Sequence, residues 1–264
     1  MDRLNERQDD QERLAILDWL TPINYASQQN DFISRRQAET GLWLLDSTQY
    51  QDWLKTSKQT LFCQGIPGAG KTILTSIVIG DLCERFQGDT TTAITYIYFN
   101  FRQRDEQKVD VLLASMLRQL AHKQPSLPDS VKDLYKRHKD ERTRPPLDEI
   151  SRALQSVAAV YARVFIVVDA LDECQESDRC RSKFLKGLFN LQANTQANLF
   201  ATSRHRPDIE KEFERSVTLE IRANSEDVRR YLQDHISQLP SCVSKRPHLQ
   251  RNITNKIVDA VDGM

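Results

Sequence analysis

Apolar residues along this chain switch between helical and strand-like spacing, and each switch marks a predicted element. Over residues 3–20, Leu14, Leu17 and Leu20 recur at threes and Ile16 sits four before Leu20, which predicts an amphipathic helix on a charged background. The polar stretch "NYASQQND" (24–31) interrupts that pattern. "STQYQDWLK" (47–55) predicts a short helix capped by Ser47, leading into "TLFCQGI" (60–66), a strand by its apolar content and glycine stop. Beyond the next glycines, Ile73, Leu74, Ile77, Val78, Leu82 and Phe86 repeat at threes and fours, again a helix.

"TAITYIYFN" (92–100), rich in β-branched and aromatic residues, predicts a second strand. Helical patterns follow at 109–122, 129–139 and 147–161, broken by "KQPSLPD" and "RTRPP". "RVFIVVDALDE" carries five consecutive apolar residues, 164–168, the continuity expected of a strand buried on both faces. A helix near 179–191, the strand "NLFATS", a short helix after Pro207 and the strand "SVTLEI" extend the alternation. From 225 onward the pattern is helical, with Ser225 the expected cap of "EDVRRYLQDHI", and no internal repeat is visible. Strands separated by helices predict an α/β fold with a central parallel sheet flanked by helices. The expected organisation is a helix and linker over 1–30, the main domain over 31–223 and the start of a helical subdomain over 224–264.

Charge adds a negative result. Thirty-seven basic residues balance thirty-seven acidic ones, so no overall field draws the chain to nucleic acid or an anionic membrane, and neither partner is expected. With no apolar run of spanning length and a charged opening, "MDRLNERQDDQERL", the chain reads as soluble and cytoplasmic. The five cysteines, Cys63, Cys83, Cys174, Cys180 and Cys242, show no CxxC spacing and read as free thiols in a reducing compartment. Zinc on Cys174, Cys180 and His205 is disfavoured against small apolar packing residues. The interleaved cluster "KRHKDERTR" (136–144) reads as a solvated helix end rather than an interaction patch.

The chemistry concentrates at "GIPGAGKT" (65–72), where three of only eight glycines fall within six positions at a strand-to-helix junction. There the backbone N–H groups and the positive end of the helix dipole converge, and glycine lets the chain curl around an anion. Pro67 has no N–H, so the donors expected run from Gly68 through Ala69, Gly70 and Lys71 to Thr72, with Gly65 opening the motif. Lys71 adds charge against β- and γ-phosphates, and the Thr72 hydroxyl can take a magnesium position. A phosphate-bound magnesium calls for a carboxylate at a buried strand end, which Asp169 supplies. Asp172 and Glu173 follow, and either can orient or deprotonate an attacking water; the plainer alternative is a solvated acidic loop. "LFATSRHRPD" ends another strand with Arg204, which can reach a γ-phosphate on the shared sheet edge, unless it or Arg206 only pairs with a loop acid. "NKIVD" (255–259) places its aspartate one position late for the guanine signature and Asp169 opens no DxxG, so ATP is favoured by exclusion.

Together "GIPGAGKT", "FIVVDALDE", "FATSRHRPD" and "NSEDVRRYL" resemble the NACHT domains of STAND signalling NTPases, most of all the nephrocystin-like N-terminal NTPase module of fungal NLR-like proteins, over residues 14–264. The lead-in "AETGLWLL" departs from the GTG-x-WLL of that module in having Glu39 for its first glycine. The resemblance implies a five-stranded parallel sheet with the arginine-bearing strand between the phosphate-loop and DALDE strands. It implies Lys71 and Thr72 on phosphate and magnesium, Asp169 on magnesium, a small Ala170 next, Asp172 nearest the reacting water, and Arg204 as a sensor. It places the lead-in around Arg36, Gly41 and Trp43 near the adenine, with a core role for Trp43 equally open. Members of the family continue into a winged helix and ankyrin or other repeats that bind partners. "VDAVDGM" resembles the start of that continuation, cut after Met264, so a fragment or truncated gene model is expected.

The function expected is an ATP- and magnesium-dependent switch with slow hydrolysis, self-associating and meeting protein partners through the absent repeats. A non-hydrolysing nucleotide clamp in a scaffold is the alternative. A small-molecule kinase comes third, for want of an acceptor pocket and basic lid.

Overall fold

The computed structural model describes residues 2–102, 107–141, 143–236, 243 and 246–262. Cys242, Arg142 of the basic cluster, and Gly263 and Met264 lie outside the described residues. Four helices lead in: α1 (Asp2–Leu20), α2 (Ala26–Ser34), α3 (Leu42–Asp46) and α4 (Thr48–Lys55). The alternating part follows as β1 (Thr60–Gln64), α5 (Lys71–Arg85), β2 (Thr92–Tyr98), α6 (Val109–Lys123), α7 (Asp129–Lys139), α8 (Leu147–Ala158), β3 (Arg163–Asp169), α9 (Cys180–Asn194), β4 (Ala197–Ser203), α10 (Pro207–Glu210) and β5 (Val217–Glu220). Two further helices are α11 (Ser225–His235) and α12 (Pro247–Asp262).

The strands form one parallel sheet in the order β2-β3-β4-β1-β5. The arginine-bearing β4 therefore lies between β1 and β3, and with the glycine loop joining β1 to α5 this is the P-loop NTPase fold. All seven β4 residues are buried, Asn198 included. That amide is tolerable because Nδ2 donates to the Trp53 and Thr56 carbonyls while Oδ1 accepts the Gln59 N–H. The β2 edge is blocked at Tyr96: the Gln119 side chain on α6 accepts its N–H and donates to its carbonyl, both at 2.9 Å, in place of a sixth strand.

Ile16, Leu17 and Leu20 of α1 are buried, whereas Leu14 is 51% exposed and faces away from the core. The Arg13 guanidinium holds α1 down by donating to the carbonyls of His122, Gln124 and Pro125 at the end of α6.

Two local expectations are corrected. Most of the polar stretch 24–31, from Ala26 on, is helix α2, because its polar groups anchor rather than loop out: Asn24 takes the Ala26 N–H (3.0 Å), and buried Gln29 donates to the Ser76 carbonyl (3.0 Å) and accepts the Tyr98 hydroxyl. The cap of α11 is Asn224, not Ser225; its extended backbone lets Oδ1 accept the amides of Glu226 (2.9 Å) and Asp227 (3.1 Å). Ser47 does cap α4, accepting the Tyr50 N–H. No described helix is long and apolar enough to cross a membrane.

Candidate functional site

Parallel register brings the chemistry to one edge of the sheet. Cys63 and Gln64 of β1 lie beside Thr202 and Ser203 of β4, and Val168 of β3 lies beside Ala201. The chain ends at Gly65, Asp169 and Arg204 thus emerge side by side. They border a cleft of about 280 Å³ lined by Gly68, Gly70, Lys71, Thr72, Asp169, Ala170, Asp172, Glu173 and Arg204 among others.

The loop is curled by two glycines in the left-handed region, Gly68 (φ 84°) and Gly70 (φ 86°). No described residue accepts the backbone N–H of Gly68, Gly70, Lys71 or Thr72, and those amides stand at the start of the fifteen-residue α5. Ala69 differs from the sequence expectation: it is buried, and its amide turns back to the Ile66 carbonyl at 3.3 Å. Gly65 also stays out of the cleft lining. A Cβ on it would stand 2.3 Å from the backbone carbonyl oxygen of Ile221, so close packing against the chain after β5 is its reason for being glycine.

Lys71 folds over this loop, with Nζ donating to the carbonyls of Gly65 and Ile66, both at 2.8 Å. Partial burial holds its pKa below the usual lysine value, opposed by the negative charges of Asp172, Asp169 and Glu173. Asp169 is 1% exposed and anchored by three hydroxyls. Thr72 donates to Oδ2 at 2.7 Å, and Thr75 and Thr202 reach Oδ1 at 2.8 and 2.7 Å. The Thr75 hydroxyl also lies 2.9 Å from the Lys71 carbonyl, and its single proton serves one acceptor at a time. Desolvation raises the Asp169 pKa, and the bonds from Thr202, Thr72 and Thr75 and the charge of Lys71 pull the other way. Asp169 and Thr72 form a hard-oxygen pair suited to a magnesium ion that keeps waters and phosphate oxygens as its other ligands.

After Asp169 the chain turns sharply at Ala170, a non-glycine residue at φ 58°, whose N–H donates to Thr202 Oγ1 at 2.9 Å. The turn aims Asp172 and Glu173 at Arg204. Asp172 Oδ1 accepts the Arg204 amide (2.9 Å), and Oδ2 lies 3.2 Å from its Nε. Glu173 lies 3.5 Å from the same guanidinium and accepts the Phe101 N–H at 3.1 Å. Arg206 points away, to Glu176 and Asp208.

Sequence alone does not mark Thr75 or Thr202 as partners of Asp169. A threonine one helical turn after Lys71 was the available signal for the first. The second follows only from strand register. The lead-in reaches α5 rather than the cleft lining: Gly41 sits where a Cβ would meet Ile77 and Leu74, Arg36 is spent on the Thr40 carbonyl, and Trp43 packs against the core. Cys174 and Cys180 lie together without His205, whose ring faces Glu210 (3.5 Å) and Glu220 (3.8 Å). A larger cleft, about 660 Å³, opens between α1 and α7, walled by Asp9, Asp10 and Glu12 opposite Lys132, Lys136 and Lys139.

No curated protein matches the chain. Among solved structures, Cdc6p from Pyrobaculum aerophilum is 15% identical at a TM-score of 0.49, covering 82% of this chain and 52% of its own. The Aeropyrum pernix ORC1 protein, solved in complex with DNA, gives 15% and 0.49 over 78% of this chain and 51% of its own. Domain III of the Thermotoga maritima replication initiation protein DnaA gives 13% and 0.45 over 85% of this chain and 80% of its own. The chain spans about half the length of the first two, and likeness of this grade assigns neither ligand nor activity. The family model described as Nephrocystin 3, N-terminal matches residues 39–204, from the lead-in through β4 to Arg204. With well over half of its length matched, the chain belongs to the Nephrocystin 3, N-terminal family.

Proposed function

We propose that this chain is a nucleotide-binding P-loop module that acts as a switch, binding ATP with magnesium in the cleft at the ends of β1, β3 and β4. The reading rests on one arrangement: the free amides before α5, Lys71, and the Thr72–Asp169 pair all border a single cleft. Bound magnesium would neutralise phosphate charge there. Gly68, Gly70, Lys71 and Thr72 would hold the phosphates through backbone N–H groups, with Lys71 Nζ exchanging its two carbonyl partners for a stronger anionic one. Asp172 is the residue to position a water, and Arg204 the one to sense the terminal phosphate. Slow hydrolysis, with self-association or protein partners as the output, completes the switch.

A clamp without turnover is the second reading, and one observation favours it. Both carboxylates beyond Asp169 are engaged, Asp172 by Arg204 and Glu173 by Arg204 and the Phe101 amide. Extraction and chromatography of nucleotide from the purified protein tests the shared part of both readings. Adenine di- or triphosphate at near one per chain supports it, and guanine nucleotide would overturn the assignment to ATP. Phosphate release on added ATP and magnesium then separates switch from clamp.

A further inference from the structure

Cys174 closes the short turn that carries Asp172 and Glu173, and Cys180 is the first residue of α9. Between them the chain folds back on itself: the Arg181 amide donates to the Gln175 carbonyl and the Arg179 amide to the Glu176 carbonyl, each at 3.2 Å. Those bonds bring the flanking cysteines toward each other, and the Cys180 thiol donates to the Gln107 carbonyl at 3.3 Å. Both are free and buried, at 3% and 6% exposure.

Their surroundings differ in a way that assigns roles. The Cys180 sulfur stands at the start of a fifteen-residue helix, near the Val109 amide and one turn before Lys183, which favour a thiolate against burial, the charge of Asp110 and the Gln107 carbonyl that meets its proton. The Cys174 thiol has no such helix start. Each thiol is the largest influence on the other, with the Cys180 pKa held below the usual thiol value and that of Cys174 above it. The connecting segment is strained, with Asp178 (φ 53°) and Arg179 (φ 56°) consecutive non-glycine residues in the left-handed region. Non-glycine residues are disfavoured in that region, and both Asp178 and Arg179 are exposed.

We propose that Cys174 and Cys180 are a redox pair, with Cys180 the nucleophile and Cys174 the resolving thiol, that closes into a disulfide on exposure to a hydroperoxide. Cys180 thiolate attacks the peroxide oxygen, the O–O bond breaks, and a sulfenic acid forms as hydroxide or alkoxide leaves. Cys174 then attacks the sulfenic sulfur, the S–O bond breaks, and water departs as the S–S bond forms. The two sulfurs together lose two electrons, and the peroxide gains them. The disulfide closes the loop immediately after Glu173, so it fixes the acidic turn beside the cleft.

The test uses the native protein with hydrogen peroxide, followed by alkylation of remaining thiols, denaturation and peptide mapping. The expected product is a Cys174–Cys180 cross-linked peptide that disappears on treatment with dithiothreitol, while Cys63 in β1 stays reduced. Cys174→Ser should leave Cys180 as a sulfenic acid captured by dimedone, and Cys180→Ser should slow oxidation of Cys174 at least tenfold. Both thiols alkylating in full after wild-type protein has met peroxide, or oxidation at Cys83 alone, overturns the proposal. That wild-type result does not depend on either variant folding.

Discussion

The Thr72 hydroxyl, one residue into α5, donates to Asp169 Oδ2 at the end of β3 across 2.7 Å, joining positions 97 apart in the chain. The bond places the first turn of the helix against the end of a strand buried from Val164 onward. It also leaves a carboxylate in an apolar setting with only hydroxyls and one lysine to balance it.

Removing that charge should therefore stabilise the ligand-free protein. Burial raises the Asp169 pKa, so the folded state disfavours the carboxylate relative to the unfolded chain. The resulting loss of stability is present above the raised pKa and fades as pH falls to the ordinary carboxylate range. Asp169→Asn should gain about 1–2 kcal/mol at neutral pH, read as a rise in Tm of a few degrees, with the gap to wild type closing in acid. The same variant should lose magnesium-dependent nucleotide affinity. A fall in Tm at neutral pH would mean that the three hydroxyls outweigh desolvation.

Asp172→Asn should keep nucleotide affinity within a factor of a few and slow phosphate release by about 100-fold, the loss expected for a group that positions water. Glu173→Gln should slow release less, since its carboxylate also holds the Phe101 amide. Release measured under single-turnover conditions checks both. Equal, undiminished rates would remove Asp172 from the reaction.

Gly65→Ala tests a packing role against a phosphate role. The added methyl meets a backbone oxygen that cannot rotate away, and the expected loss is roughly 2–3 kcal/mol of stability in urea unfolding. Weaker nucleotide binding at unchanged stability would return Gly65 to the phosphate loop proper.

Asn224→Ala should destabilise α11 by about 1 kcal/mol, because two amides lose their acceptor, while Ser225→Ala should cost much less. Hydrogen exchange at Glu226 and Asp227 reads the difference locally.

The strands and most helices were legible because burial forces periodicity: the five apolar residues of β3 and the threes and fours of α5 admit little else. The cleft was legible for the same reason, since glycine, lysine and threonine at a strand-to-helix junction have a common electrostatic purpose. What stayed hidden depends on contacts between distant segments. Gln29 is polar in sequence yet buried, because Ser76 and Tyr98 satisfy it. Thr202 meets Asp169 only through the register of β3 on β4, and Gly65 is constrained by Ile221, which no spacing near the motif discloses. The choice between Asn224 and Ser225 as cap turned on one residue of backbone geometry.

Calorimetric titration of ATP with magnesium into the wild-type chain and Lys71→Ala, both checked for the same far-ultraviolet dichroism, is the most direct test of the phosphate cleft. Loss of the one lysine that lines the cleft among the described residues should weaken binding by roughly 100-fold, on the order of 3 kcal/mol. Equal affinity in the two proteins would contradict the account.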